Sequence, residues 1–159
     1  MYEQLQTTVV MATYNGEKNI IEQLNSLKNQ TQKIDEVLIK DDSSTDNTVA
    51  IIKKFIEENQ LQSNWHLIIN KENVGWRENF FTLLNLAKNE IIFTCDQDDI
   101  WHETKIKEMS NIFTNNKVQV LASDYQELVE PGGLAEELKR IDTETIDHRP
   151  EERVIFNEN

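Results

Sequence analysis

Cysteine occurs once in the 159 residues, proline twice and glycine four times. The single thiol, Cys95, excludes an internal disulfide framework and fits a reducing compartment. No internal repeat and no low-complexity tract is present. No apolar stretch approaches the ~20 residues that a membrane-spanning helix needs. The start, Met1-Tyr2-Glu3-Gln4, has no basic segment followed by a long apolar run, so no secretion signal is expected. Positive charge is also scarce: 16 Lys and Arg stand against 29 Asp and Glu, a formal net charge of −13. So acidic a surface repels phosphate backbones and anionic lipid heads, which argues against a nucleic-acid or membrane-surface role. Neither GxGxxG nor GxxxxGK followed by Ser or Thr occurs, so dinucleotide and P-loop sites have no support. A soluble, acidic, cytoplasmic domain is the expectation that remains.

The acidity is uneven. Residues 1–122 hold 12 basic and 18 acidic side chains, whereas residues 123–159 hold 4 and 11. The first stretch is expected to be the packed unit and the second to be loop-rich. Hydrophobic residues make up 38% of the chain, below the ~45–50% of an average domain, which fits a polar tail.

Within the first stretch, β-branched runs alternate with one-sided apolar stripes. Thr7 to Ala12 reads as a strand ending at the Tyr14-Asn15-Gly16 turn. Ile20, Leu24 and Leu27 form a helical stripe. Val37-Leu38-Ile39 ends at Asp41-Asp42, and Ser43 to Asp46 supply N-cap chemistry for a helix carrying Val49, Ile52, Phe55 and Ile56. Trp65 to Ile69 reads as a strand, Asn73-Val74-Gly75 as a turn, and Phe80, Leu84 and Ala87 as a third stripe with Leu83 beside it. Ile91 to Thr94 reads as a buried strand. A helix over 102–114 then leads to a last apolar run, Val118 to Ala122. Strand and helix in alternation, with near-continuous apolar strands, predict an α/β protein with a mostly parallel, Rossmann-like central sheet and helices on both faces.

In such sheets ligands sit beyond the carboxyl ends of the strands. Polar groups cluster there: Thr13-Tyr14-Asn15, Asp41-Asp42 and Asp96-Gln97-Asp98-Asp99. The last string places three carboxylates in four positions, where they raise one another's pKa and where a hard divalent ion would relieve the repulsion. It also reads as a helix N-terminus carrying acids for dipole reasons. A calcium loop fits poorly, since Trp101 stands sixth from Asp96, where glycine is needed. Asp41 and Asp42 could accept hydrogen bonds from a base or ribose, or cap the next helix. Tyr14 could stack on a planar base. Arg77 and Lys40 are the basic residues nearest this rim; either could meet a phosphate, and the solvated surface is the expectation for each. His66, His102 and His148 lack partners at ligand spacing, Cys95 is expected to be inert core, and Asn29-Gln30-Thr31 is read as a chance glycosylation sequon.

Taken in order, Val9 to Asn15, Val37 to Thr48, Asn73-Val74-Gly75 and Ile91 to Trp101 resemble a family 2 glycosyltransferase of GT-A fold. The string Asp-Gln-Asp-Asp-Ile-Trp followed by Lys105-Ile106 is similar to the bacterial rhamnosyltransferase-like branch, and the match covers roughly residues 7–125. The resemblance implies donor binding by Ala12, Thr13 and Tyr14 around a pyrimidine, by Asp41 or Asp42 at the base edge, by Arg77, and by Asp96 and Gln97. It implies Mn2+ or Mg2+ on Asp98 and Asp96, and inverting transfer from a UDP- or dTDP-sugar, such as dTDP-rhamnose, to a glycan or lipid-linked acceptor at the inner face of the membrane.

The chain departs from the family pattern. Ser43 stands where many members have glycine, Cys95 precedes Asp96, and Phe80 takes the place of an arginine, with Arg77 as its substitute. The family's general base is expected beyond Asn159. Glu151-Glu152 comes too early, and Asp124 is a weaker acceptor-side candidate. Residues 1–125 are therefore expected to form the donor-binding half of a longer, here truncated enzyme, and 126–159 an acidic, partly irregular acceptor-side segment. A nucleotide-sugar-binding module without transfer activity is the alternative. A haloacid-dehalogenase phosphatase is disfavoured, because its Asp pair follows the first strand rather than the fourth.

Overall fold

A computed structural model describes residues 5–115 and 119–123. The chain divides into two compact units, 1–121 and 122–159, and almost all of the second lies outside the described residues. So do the expected boundary at 125, Asp124, His148 and Glu151-Glu152.

The first unit alternates strand and helix: β1 (Thr7–Thr13), α1 (Ile20–Lys28), β2 (Glu36–Asp41), α2 (Thr48–Glu58), β3 (Trp65–Ile69), α3 (Trp76–Leu86), β4 (Ile91–Cys95) and α4 (Lys105–Asn115). The strands form one all-parallel sheet in the order β3-β2-β1-β4. Register is set through β1: Met11 stands opposite Ile39 on one side and Cys95 on the other, and Thr13 stands opposite Asp41.

Alternate side chains leave opposite faces of a strand. Val9, Met11, Val37, Ile39, Ile91 and Phe93 therefore share one face. They pack with Ile20, Leu24 and Leu27 of α1, Ile52, Phe55 and Ile56 of α2, and Ile106 of α4. Val10 and Leu38 meet Leu83, Phe80 and Ala87 of α3 on the other face.

Three expectations need correction. The buried face of α3 is Asn79 and Leu83, while Leu84 is exposed, because Asn79 is drawn inward by a hydrogen bond that its polarity conceals. β4 is buried on alternate residues only: Ile92 and Thr94 are exposed, since among the described residues it is an edge strand with no helix over that side. Residues 119–123 form no strand and Val120 is 87% exposed, because an apolar run becomes a strand only where a ladder accepts it.

Candidate donor-binding site

Strand order runs outward from β1 in both directions, to β2 and β3 on one side and to β4 on the other. Loops leaving β1 and β4 therefore diverge, which opens a crevice at the carboxyl ends of these two strands. Tyr14 follows β1 and Gln97 follows β4. The two meet across the crevice: Tyr14 N–H donates to Gln97 Oε1 at 2.8 Å, and Gln97 Nε2 donates to the Tyr14 carbonyl at 3.1 Å. The Tyr14 ring remains 47% exposed.

Behind Tyr14 the rim is tightly bonded. Thr13 Oγ1 donates to Asp41 Oδ2 at 2.9 Å, as do Ser44 Oγ at 2.6 Å and, to Oδ1, Ser44 N–H at 2.9 Å. Ser44 Oγ in turn accepts the Asn15 N–H. Asn15 Oδ1 accepts the Thr45 N–H, and Glu17 Oε2 accepts the Asn47 N–H. The start of α2 is held by Asp46, whose Oδ1 accepts the Thr48 N–H at 3.0 Å. The N-cap chemistry expected over Ser43 to Asp46 thus falls to Asp46, while Ser44 serves Asp41.

Asp42, also buried, turns the other way. Its carboxylate accepts Asn70 Nδ2, the Val74 N–H and the Gly75 N–H, each at 2.8 Å. Burial pushes its pKa up, but the bonds from Val74, Asn70, Asn79 and Gly75 together outweigh that and hold it below the ordinary carboxylate value. A carboxylate has about four lone-pair sites, so Asp41 and Asp42 each retain little accepting capacity.

Asp96, Asp98 and Asp99 stand exposed at the end of β4. Partial burial raises the Asp96 carboxyl above its usual range, and the Asp99 and Asp98 charges raise it further. That mutual repulsion is the property that a divalent cation satisfies, and oxygen donors suit Mn2+ or Mg2+. Among the described residues no group of three His, Cys, Asp or Glu is placed to enclose an ion, so an ion here would draw ligands from its substrate and water. A cavity of about 680 Å3 adjoins these acids, lined by Trp76, Phe80, Thr94, Cys95, Asp96 and Asp99. A larger concavity, about 790 Å3, lies near the amino ends of the strands, among Gln6, Lys33, Asp35 and Lys107, away from the carboxylates.

Of the predicted residues, the fold brings Thr13 to Asp41 and Tyr14 to Gln97, and Ala12 sits half-buried in β1 between them. Arg77 is exposed, with its guanidinium 5.2 Å from the Trp76 ring centroid. Lys40 is a correction: it is 8% exposed and donates to Thr82 Oγ1 of α3 at 3.1 Å, because its position in β2 points under that helix. Asn70, Asn79 and Trp76 escaped the sequence reading. Asn70 directly follows β3 and shares the rim position of the others, which was a usable signal. Cys95 is buried, burial pushes its thiol well above the ordinary value, and Gln23 donates to its sulfur, in keeping with an inert core residue.

A parallel Rossmann-like sheet with an acidic string at the β4 edge of its switch point defines the GT-A class of nucleotide-sugar-dependent folds. The comparisons agree. The Glycosyl transferase family 2 profile matches residues 8–153, and the chain belongs to that family. It is 36% identical over 122 residues to the dTDP-rhamnosyl transferase RfbG of Shigella flexneri, covering 72% of this chain and 40% of that protein. Staphylococcus aureus TarS 1-349 in complex with UDP superposes with a TM-score of 0.62 at 30% identity, covering 70% of this chain and 32% of that one. The mannosyltransferase of Pyrobaculum calidifontis in complex with GDP-Man and Mn2+ superposes with a TM-score of 0.61 at 26% identity, covering 70% and 32%. The chain thus spans less than half the length of these relatives. No helix among the described residues is long and apolar enough to cross a membrane.

Proposed function

We propose that this chain carries the donor-binding half of an inverting glycosyltransferase that takes a sugar from UDP or dTDP, dTDP-rhamnose among the candidates, to a glycan or lipid-linked acceptor. The observation that carries the reading is the convergence of Tyr14, the Asp41 network and the Asp96–Asp99 string on one crevice in a family 2 chain. RfbG by its name uses a dTDP sugar and TarS was captured with UDP, and both are more similar in sequence to this chain than the mannosyltransferase that holds GDP-Man, which supports a pyrimidine donor.

In this reading Tyr14 stacks on the base, with the main chain of Ala12 and Thr13 beside it. Asp41 or Asp42 offers its remaining accepting site to the base edge. Arg77 supplies positive charge near the diphosphate. Asp96 faces the ribose, and Asp98, with Asp96, would hold Mn2+ or Mg2+. Such an ion supplies charge compensation for the departing nucleoside diphosphate. The clustered acids lose their mutual repulsion when the cation sits among them, so nucleotide and metal binding reinforce each other. No described residue is assigned the acceptor's general base. Catalysis on a lipid-linked acceptor would place the protein at the cytoplasmic face of the membrane.

The test is thermal unfolding of the chain with UDP or dTDP, with and without Mn2+, in the natural form and in Asp98→Ala. A ligand of the folded state adds ~2.7 kcal/mol at a hundredfold excess over its Kd. The expected result is a metal-dependent rise that Asp98→Ala abolishes. Equal unfolding under all conditions overturns the reading.

A further inference from the structure

We propose that Gln97, the residue between Asp96 and Asp98, is not the donor contact that the resemblance implies but a positioning residue that sets Tyr14 against the donor base. The inference rests on the donor-site reading above and sharpens it.

Both ends of the Gln97 amide are engaged by the main chain of one residue: Oε1 accepts the Tyr14 N–H at 2.8 Å, and Nε2 donates to the Tyr14 carbonyl at 3.1 Å. A primary amide has two acceptor sites and two donors. Pairing both ends with a single residue fixes its plane and direction, which one bond would not do. The pairing also crosses the β1/β4 switch point, where no ladder bond ties the two departing loops. On the far side the turn is held through Asn15, whose N–H donates to Ser44 Oγ and whose Oδ1 accepts the Thr45 N–H. The Gln97 amide is therefore the brace on the β4 side of an exposed aromatic ring.

Gly16 shows that space is kept for this brace. A Cβ on Gly16 would stand 2.5 Å from Gln97 Oε1 and 2.8 Å from Gln97 Cδ. Gly16 is buried, and its N–H donates to Thr48 Oγ1 at 2.8 Å. No positive φ demands glycine there. The side chain of Gln97, half-buried at the rim, is the group that excludes a larger residue. Because the clashing atoms are the end of a flexible side chain, alanine at this position would turn Gln97 away and leave the backbone in place.

The test is the Kd for UDP in Mn2+, measured on the full chain as a double-mutant cycle. Gln97→Ala and Gly16→Ala are each expected to weaken UDP by about tenfold, with unfolding temperatures unchanged. The second substitution is expected to add nothing in the presence of the first. In a Tyr14→Ala background the Gln97→Ala loss should vanish, since the main-chain brace then positions no ring. A Gln97→Ala loss that persists undiminished with Tyr14→Ala, or no loss at all, overturns the positioning role while leaving the donor site standing. No UDP binding by the natural chain removes the donor reading, and the positioning role with it.

Discussion

The carboxylate of Asp42 accepts the main-chain N–H of Gly75 at 2.8 Å, joining residues 33 apart in sequence. The bond explains why the turn before α3 has the shape it has. Gly75 adopts φ 89° and ψ 156°, a region essentially closed to residues with a Cβ. No atom lies within 4 Å of where a Cβ would be, so the backbone alone demands glycine. Just before that glycine's own torsions, two consecutive N–H groups, from Val74 and Gly75, donate to one buried anion.

Replacing the anion should release the turn. Asp42→Asn is expected to cost about 2 kcal/mol, since hydrogen bonds to charged groups contribute roughly 1.5–3 kcal/mol and the new NH2 would face donors. Hydrogen bonds from Val74, Asn70 and Gly75 hold the Asp42 carboxyl below the ordinary carboxylate range in the folded protein. Its contribution is therefore complete above the unfolded-state pKa and is lost as pH falls through the lower folded pKa. Urea midpoints should separate the natural chain from Asp42→Asn at pH 7, and the gap should narrow in strong acid. A gap that is the same at both pH values would show that the carboxylate charge is not what holds the turn.

Much of this frame is legible in the residues, and the exceptions share a cause. β3 follows the apolar run Trp65 to Ile69 without offset, and the stripe of α1 from Ile20 to Leu27 is buried as its period implies. Periodicity fails where a polar residue is buried against a partner from another element or loop. Asn79 is fully buried against Asn70, and Gln23 donates to Cys95 across 72 residues. Lys40 reaches Thr82 across 42. At the site, the order of the rim segments could be read from strand ends, but the division of labour between Asp41 and Asp42 could not. It depends on which loop supplies donors to each, and Ser44, Val74 and Gly75 are visible as partners only once the sheet order is known.

Ser43 offers a test of the family's preference for glycine. Its φ is +64°, the left-handed region. That conformation costs a residue with a Cβ about 1–2 kcal/mol, against a glycine entropy disadvantage of roughly 0.5–1 kcal/mol. Ser43→Gly is therefore expected to stabilise the chain by up to about 1 kcal/mol, seen as a higher unfolding temperature. The Asp41 network should be untouched, because it runs through Ser44. A fall in unfolding temperature would mean that the Ser43 side chain contributes more than its backbone costs.

Cys95 should report the integrity of the β4 edge. It is 2% exposed, its sulfur accepts a hydrogen bond from Gln23, and burial outweighs that bond and raises its thiol pKa. Thiolate is the reactive form, so a thiol reagent at pH 8 should label it only at the rate of local or global opening. Labelling should be complete in denaturant. Prompt labelling of the native chain would show that the strand end carrying Asp96 opens freely.

Trp76 is the aromatic that the sequence reading passed over, and it bears on which part of a donor occupies the cavity. It is 64% exposed at the first turn of α3, so its folded-state contacts are few and Trp76→Ala should change stability by no more than about 0.5 kcal/mol. Yet it lines the same cavity as Asp96 and Asp99. Tyr14 lies across the switch point, on the β1 side. With the base assigned to Tyr14 and the diphosphate to the acids, the wall formed by Trp76 and Phe80 is left for the sugar. An apolar ring face packed on an indole contributes about 1 kcal/mol, or roughly fivefold in affinity. Trp76→Ala should therefore weaken a UDP- or dTDP-sugar about fivefold while leaving the bare nucleoside diphosphate unaffected, as read by calorimetric titration of both. Equal loss for sugar nucleotide and nucleotide would instead move the base to Trp76 and leave Tyr14 at the edge of the site.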